Sequence, residues 1–298
     1  MSEETSETSA ESHPGGSSKQ GLALALVVWA IVALSIIYWV KYGQVPELAS
    51  DRGQLDGLYY AILAVTGVVY VIVQVLLGYY IFRYQDKPNA EGSYWHESHK
   101  LEYAWTIATI VILIPFVLTG LNYWSQVKAS TPPDDAVVVV AVGAQFQWDF
   151  IYPGPDGEFG QITPQLYSLE NPLAIDPADP NSADDFFFTN QLVLPVDRAA
   201  LIMLRSKDVQ HAFFLPNFRV KQDLMPGMTT QTLFVPTKVG NYEIACAELC
   251  GLGHYRMRAF LEVKSQEDYD AWWQEQTAPP APEVPAEQQD DAANEAVN

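Results

Sequence analysis

Cysteine is nearly absent from this chain. Its 298 residues contain two, Cys246 and Cys250, which excludes the disulfide framework that staples small secreted domains. No Cys-x-x-Cys-His run occurs, so no c-type haem is attached to it. Basic residues are scarce too, with 16 Lys and Arg against 36 Asp and Glu and a formal net charge of −20. That balance argues against nucleic acid as a partner, because phosphate neutralisation needs clustered cations. There are no internal repeats, and no apolar run long enough to cross a bilayer follows Trp124. A mean hydropathy of −0.01 therefore averages two unlike halves.

The first half is apolar in three places, Gly21 to Tyr42, Tyr59 to Phe82 and Leu101 to Trp124. Each run is about 20 residues or more, the length needed to span the hydrocarbon core. Aromatic pairs close each one: Tyr38 and Trp39, Tyr79 and Tyr80, Tyr123 and Trp124, residue types that settle at headgroup level. Arg83, Lys87 and Lys100 lie between the second and third runs, which makes that loop cytoplasmic and places everything after Trp124 outside. The first run is read as a retained helix rather than a signal sequence. It is long for a signal core, and acidic rather than basic residues precede it.

Acidic residues concentrate in residues 1–20, in Tyr152 to Asn190 and in a Pro/Ala/Glu tail over 278–298. The two ends read as disordered, and the middle stretch, long and rich in Pro and Asp, as a surface insertion. An acidic surface also steers a basic partner toward it. Short β-branched and aromatic stretches recur at Ala136–Val142, Gln145–Tyr152, Gln191–Pro195, Ala200–Leu204, Thr230–Val235, Tyr242–Ala245 and Met257–Val263. This spacing predicts an all-β sandwich or barrel over about 130–265. A short terminal helix is expected over 266–277, carrying Trp272 and Trp273.

The densest chemistry lies in Cys246-Ala-Glu-Leu-Cys250-Gly-Leu-Gly-His254-Tyr-Arg-Met257. Two thiols, an imidazole and a thioether form a soft donor set suited to copper, and His211 upstream can complete it when a β-sandwich gathers its loops at one end. A mononuclear blue-copper site needs one thiolate and two imidazoles; two thiolates can bridge a pair of ions. Other readings remain open at this level. The two cysteines can form a disulfide, Cys-x₃-Cys-x₃-His fits zinc, and Met257 can be plain core.

In these residues the chain resembles subunit II of haem-copper cytochrome c oxidases. The resemblance extends over roughly 55–275, through Leu101-Glu102-Tyr-Ala-Trp105-Thr106, Gln145-Phe146-Gln147-Trp148, His211-Ala-Phe-Phe-Leu-Pro and Lys221-Gln-Asp223-Leu-Met-Pro226-Gly227. It implies a two-helix membrane hairpin, here with an extra N-terminal helix, followed by a cupredoxin-like Greek-key barrel. The implied cofactor is the dinuclear copper centre CuA. Cys246 and Cys250 would bridge the ions, His211 and His254 would each bind one, Met257 would ligate weakly, and Glu248 would contribute its backbone carbonyl. The Glu248 side chain would reach a magnesium ion shared with subunit I, and Lys221 and Asp223 would lie at that interface.

The same resemblance gives Glu102 a place at the mouth of a proton path into subunit I, although an acid in the first turn of a helix is already explained by the helix dipole. His96 and His99 receive no role. Where many relatives place tryptophan to receive electrons, this chain has Phe146, with Trp148 next, so either ring is a candidate. The implied function is acceptance of electrons from cytochrome c, a separate or complex-bound donor, and delivery to the haem of subunit I, where oxygen is reduced to water. The location would be a bacterial or archaeal plasma membrane with the copper domain outside. The alternatives are a CuA subunit of a nitric oxide reductase, a copper-free quinol oxidase subunit, and a tethered copper storage or delivery protein.

Overall fold

A computed structural model describes residues 18–85, 91–92, 94–168 and 170–278. The acidic tail, most of the N-terminal acidic stretch and Lys87 fall outside these residues. The chain divides into a helical unit and a β unit.

The helical unit contains α1 (Ser18–Tyr42), α2 (Gly53–Arg83) and most of α3 (His99–Lys128). All three are long and apolar enough to cross a membrane. Each extends beyond its apolar run, because polar first and last turns belong to the helix without belonging to the hydrocarbon-spanning part. α1 packs on α2 around one small residue. Gly78 is the buried residue of α2, and a β-carbon there would overlap the Trp29 indole, whose Nε1 donates to the Val75 carbonyl at 3.3 Å. Small residues permit this close approach between apolar helices.

The β unit is a sandwich of two five-stranded sheets. One has the order β3-β2-β1-β5-β8 and the other β4-β10-β9-β6-β7. The strands are β1 (Val137–Ala144), β2 (Gln147–Tyr152), β3 (Phe186–Thr189), β4 (Gln191–Pro195), β5 (Ala200–Ser206), β6 (His211–Leu215), β7 (Val220–Leu224), β8 (Thr230–Phe234), β9 (Gly240–Cys246) and β10 (Arg258–Lys264). Pairing is antiparallel except for β1 with β5 and β4 with β10. Between the sheets lie Trp148, Phe150 and Tyr152 from β2, Ile202 and Leu204 from β5, and Phe213 and Leu215 from β6, all fully buried.

The stretch 152–190 needs correction as a plain surface insertion. Its last residues are β3, which pairs with β2 from Asp149↔Thr189 to Tyr152↔Phe186. Farther upstream, Leu173 packs with Val140, Val142 and Ile151 on the outer face of the first sheet, flanked by Phe159, Ile162, Ile175 and Met203. Both faces of β1 are thereby covered, which explains why Val137–Ala144 is a continuous apolar run rather than an alternating one. Strands β3, β6 and β7 were not expected from sequence, and His211 is the first residue of a strand rather than part of a loop.

The terminal helix α4 (Gln266–Gln276) starts where the Ser265 hydroxyl accepts from Asp268 N at 3.1 Å, a serine N-cap. Trp272 and Trp273 pack against Tyr152 and Phe186 at centroid distances of 5.2–6.4 Å among these rings. This closes the sandwich at the end away from the cysteine loop.

Residues Glu47–Arg52, between α1 and α2, are part of the β unit. Ala49 N donates to Asn217 O, Thr237 N to Ala49 O and Asp51 N to Val235 O at 2.8–3.1 Å. The buried Arg52 guanidinium donates to the carbonyls of Arg219 at 3.2 Å and Leu233 at 2.7 Å, and to Thr232 Oγ1 at 3.4 Å. A segment bonded into the sandwich lies on the sandwich's side of the membrane. One crossing by α2 would put the segment before α3, flanked by Arg83 and Lys100, on the opposite side. Arg52→Ala removes the donor and strands buried carbonyls, so it should lower the stability of the β unit by about 2–4 kcal/mol. Denaturant unfolding of the full chain in detergent measures this, and a loss below about 0.5 kcal/mol, the range of ordinary surface changes, would show that the strap does not hold the domain.

Candidate metal centre

The site is assembled by strand register. β6 begins at His211 and its antiparallel neighbour β9 ends at Cys246, with Phe213 opposite Cys246, so both residues emerge at the same end of the second sheet. Beyond β9 the chain makes a compact loop and returns as β10. Cys246 N donates to Met257 O at 3.1 Å, Met257 N to His254 O at 3.2 Å and His254 N to Gly251 O at 3.1 Å. Ala247 N is tied to Ala212 O at 3.0 Å, which locks the loop to the strand that carries His211.

Within this frame the donor atoms converge. Cys246 Sγ lies 3.8 Å from His211 Nδ1, 3.8 Å from Cys250 Sγ and 3.2 Å from the Glu248 carbonyl oxygen. Cys250 Sγ lies 3.7 Å from His254 Nδ1 and 3.7 Å from Met257 Sδ. His211 and both cysteines form a buried group whose donor atoms fit one cation. These spacings suit metal ligation: two sulfurs each ~2.3 Å from a tetrahedral ion stand ~3.8 Å apart. They do not suit a disulfide, which needs an S–S distance of ~2.05 Å; both cysteines are free. Met257 is buried at 2 % exposure, and its sulfur faces the cysteine pair rather than only the apolar core.

Two groups missed in the sequence hold this set in place. Asp208 Oδ1 lies 2.8 Å from His211 Nε2, while its carboxylate also accepts from Gln145 N and Val209 N, each at 2.7 Å. A carboxylate on the far ring nitrogen fixes the tautomer and turns Nδ1 toward Cys246 Sγ. Its position three residues before His211 was a legible signal. Gln145 is the second, its side-chain amide donating to the Cys250 carbonyl.

Electrostatics follow from these contacts. Burial works to raise the Cys246 pKa, but hydrogen bonds from His211 and the backbone at Ala212 outweigh it and hold the thiol below its ordinary value. Burial and then the charge of Cys246 push Cys250 upward. The pair therefore gives up its two protons in separate steps, and a bound cation favours release of both. Asp208 is pulled down despite burial, through its bonds from His211, Gln145 and Val209.

Glycine is required at two points of the loop. Gly251 has φ +131°, and a β-carbon there would come within 2.8 Å of Gln145 Nε2 and 3.2 Å of the Phe146 ring; at Gly253 it would overlap that ring. Phe146 is half-buried and covers the ligand loop, whereas Trp148 is fully buried, its ring 6.2 Å from the His211 ring in edge contact. On the outer side of the loop, Leu249, Leu252 and Tyr255 are 77 %, 97 % and 86 % exposed.

The remaining candidates stand apart from this cluster. Lys221 and Asp223 form an exposed ion pair at 2.7 Å. Glu102, in the first turn of α3, faces His99 Nδ1 at 3.1 Å, and Glu97 lies 3.4 Å from His99 Nε2.

The alternative cytochrome c oxidase subunit 2 of Bradyrhizobium diazoefficiens is 35 % identical over 258 residues, covering 86 % of this chain and 92 % of that one. The chain belongs to the cytochrome c oxidase subunit II family. The family described as the periplasmic domain of cytochrome c oxidase subunit II matches residues 137–264, the ten strands and the loop between the last two. Cytochrome c oxidase subunit 2 of Cereibacter sphaeroides is 29 % identical over 242 residues, 76 % of each chain. The crystal structure of the periplasmic domain of subunit II of cytochrome oxidase from Bradyrhizobium japonicum is 28 % identical, covering 49 % of this chain and 96 % of that one, with a TM-score of 0.36. The protein is thus a membrane-bound subunit of an oxidoreductase complex, with its β-sandwich on the outer face and the copper-binding, electron-transport role that follows from the family.

Proposed function

We propose that this chain is the subunit through which a terminal respiratory oxidase receives its electrons, with a dinuclear CuA centre held by His211, Cys246, Glu248, Cys250, His254 and Met257. The observation that carries the reading is the two-sided placement of donors around the cysteine pair: His211 Nδ1 and the Glu248 carbonyl beside Cys246, His254 Nδ1 and Met257 Sδ beside Cys250. A single zinc ion would use four ligands and leave Met257 and the Glu248 carbonyl without a purpose. Bound by these donors, a copper pair supplies one-electron transfer between a cytochrome c and the haem of subunit I, where oxygen becomes water.

The chain's own residues prepare that transfer in three ways. Asp208 and Ala212 fix His211 and the loop, so the donors have little freedom to rearrange, which keeps reorganisation small. Phe146 and Gln145 cover the loop from β2's side and keep water from the sulfurs. Leu249, Leu252 and Tyr255 offer an apolar rim to a partner, within a strongly acidic chain that attracts a basic cytochrome. The Glu248 carboxylate is assigned to a magnesium ion at the subunit I interface, where Lys221 and Asp223 also lie. Glu102 is assigned to proton uptake on the cytoplasmic side, which predicts slower oxygen reduction in Glu102→Gln with an unchanged copper spectrum; unaltered turnover would return it to a helix-end charge.

Because Glu47–Arg52 is bonded into the sandwich, the full chain in detergent is the sample for copper analysis. It should hold two coppers with a mixed-valence paramagnetic signal. Cys246→Ser or Cys250→Ser should abolish that signal, while Met257→Leu should retain both ions and shift the potential, as expected of a weak ligand. Recovery of one copper, of zinc, or of a disulfide in freshly made protein would overturn the assignment.

Phe146 contacts the ligand loop and is partly exposed, so it is the better receiver of electrons; Trp148 lies behind His211 in the core. Phe146→Ala should slow electron arrival several-fold with copper content intact, and the parent association rate should fall steeply with ionic strength, since screening acts over roughly 10 Å at about 0.1 M salt. Stopped-flow mixing with a reduced basic cytochrome c reads both. A Phe146→Ala rate equal to the parent's would place the receiving group elsewhere.

A further inference from the structure

Against an acidic background, one cleft of the β unit is lined by two cations. It encloses about 860 Å³ beside the ligand end of the first sheet, between the insertion and the turns after β5 and β7, a size typical of small-molecule sites. Val142, Leu173 and Ala174, all buried, form an apolar floor, and Arg205, Lys207 and Tyr167 stand at the sides.

Arg205 projects from the outer face of β5, the face that Met203 also occupies two residues earlier. Its Nε donates to Thr229 Oγ1 at 2.9 Å, and the terminal guanidinium nitrogens have no acceptor among the described residues. The Lys207 ammonium sits 3.8 Å from the centre of the Tyr167 ring, a cation–π contact that holds it at the cleft. Neither cation has a carboxylate partner among the described residues, although acids outnumber bases more than twofold in the chain. The one carboxylate in the lining, Asp208, already accepts from Gln145 N and Val209 N and faces His211 Nε2.

We infer that this cleft binds a small organic anion, a carboxylate on an apolar body of aromatic size, with its charge between Arg205 and Lys207 and its body on Leu173 and Val142. An inorganic anion would gain only the half-buried Arg205 and the exposed Lys207 and leave the floor uncovered. Because Asp208 both lines the cleft and holds His211, a bound anion adds negative charge beside a metal ligand. It therefore favours the oxidised centre and lowers its reduction potential; this last step alone rests on the copper assignment.

Calorimetric titration of the full, metal-free chain in detergent with sodium benzoate tests the site, with inorganic phosphate at equal ionic strength as comparison. Saturable benzoate binding is expected. It should weaken by at least about tenfold, or 1.4 kcal/mol, in both Arg205→Gln and Lys207→Gln, and stay unchanged in Lys238→Gln, a remote cation paired with Glu47. No saturable binding, binding indifferent to both cleft substitutions, or equal binding of phosphate would overturn the inference. In the copper-loaded chain benzoate should lower the midpoint potential, and Arg205→Gln should remove that shift. Benzoate binding with an unmoved potential would refute the link through Asp208 while upholding the site.

Discussion

The pairing of β6 with β9 is the constraint on which the rest of the site depends. Side chains on a strand alternate between faces, so a slip of one residue would turn His211 or Cys246 to the opposite face of the sheet. Phe213 opposite Cys246 fixes that register, and Phe213 is itself fully buried against Trp148 and Phe150. Core packing therefore determines donor geometry. The bond from Ala247 N to Ala212 O carries the register past the end of β9 into the loop, where the second cysteine is placed.

Convergence of polar donors in a nearly dry site works against folding unless each is satisfied. His211 is fully buried, and without Asp208 its Nε2 would be an orphan. Asp208 in turn is held by two backbone N–H groups, which favour its charged form. Cys246 has one such bond, from the backbone at Ala212, while burial and the charge of Cys246 push Cys250 upward. Two thiols this close relieve that conflict when a cation sits among the sulfurs. The geometry is better explained by a bound metal than by the apo protein's own stability.

How much of this was legible in the sequence depended on the range of each interaction. Cys246, Cys250, His254 and Met257 lie within twelve residues, so the loop announced its donors, and three apolar runs announced the spanning helices. Gln191–Pro195 was found at its observed bounds, since Leu192, Val193 and Leu194 are apolar and turn residues lie on either side. Val220–Leu224 was not, because only its two ends are apolar, and Phe186–Thr189 was hidden behind Asp184 and Asp185 in a stretch whose composition reads as loop. The Arg52 strap was out of reach: its acceptors lie 167 to 181 residues away, and nothing local marks an arginine between two membrane helices as a core residue.

The stretch 152–190 joins these threads. By covering the outer face of β1 and β2 it allows strands that are apolar on both sides, and those strands carry Gly143, Gln145 and Phe146 to the ligand end. A β-carbon at Gly143 would come within 3.1 Å of the His211 ring, so the approach of the first sheet to His211 is close. The acids in the same stretch serve the covering locally: Asp185 accepts from Gly160 N at 2.8 Å and Asp179 from Gln161 N at 2.8 Å, bonds that hold the segment against itself. Much of what composition presents as acidic solvent-facing sequence is thus structural. Loss of those carboxylate bonds would loosen the cover, expose Val140 and Val142, and remove one support from the strands that position Gln145 and Phe146 over the cysteine loop.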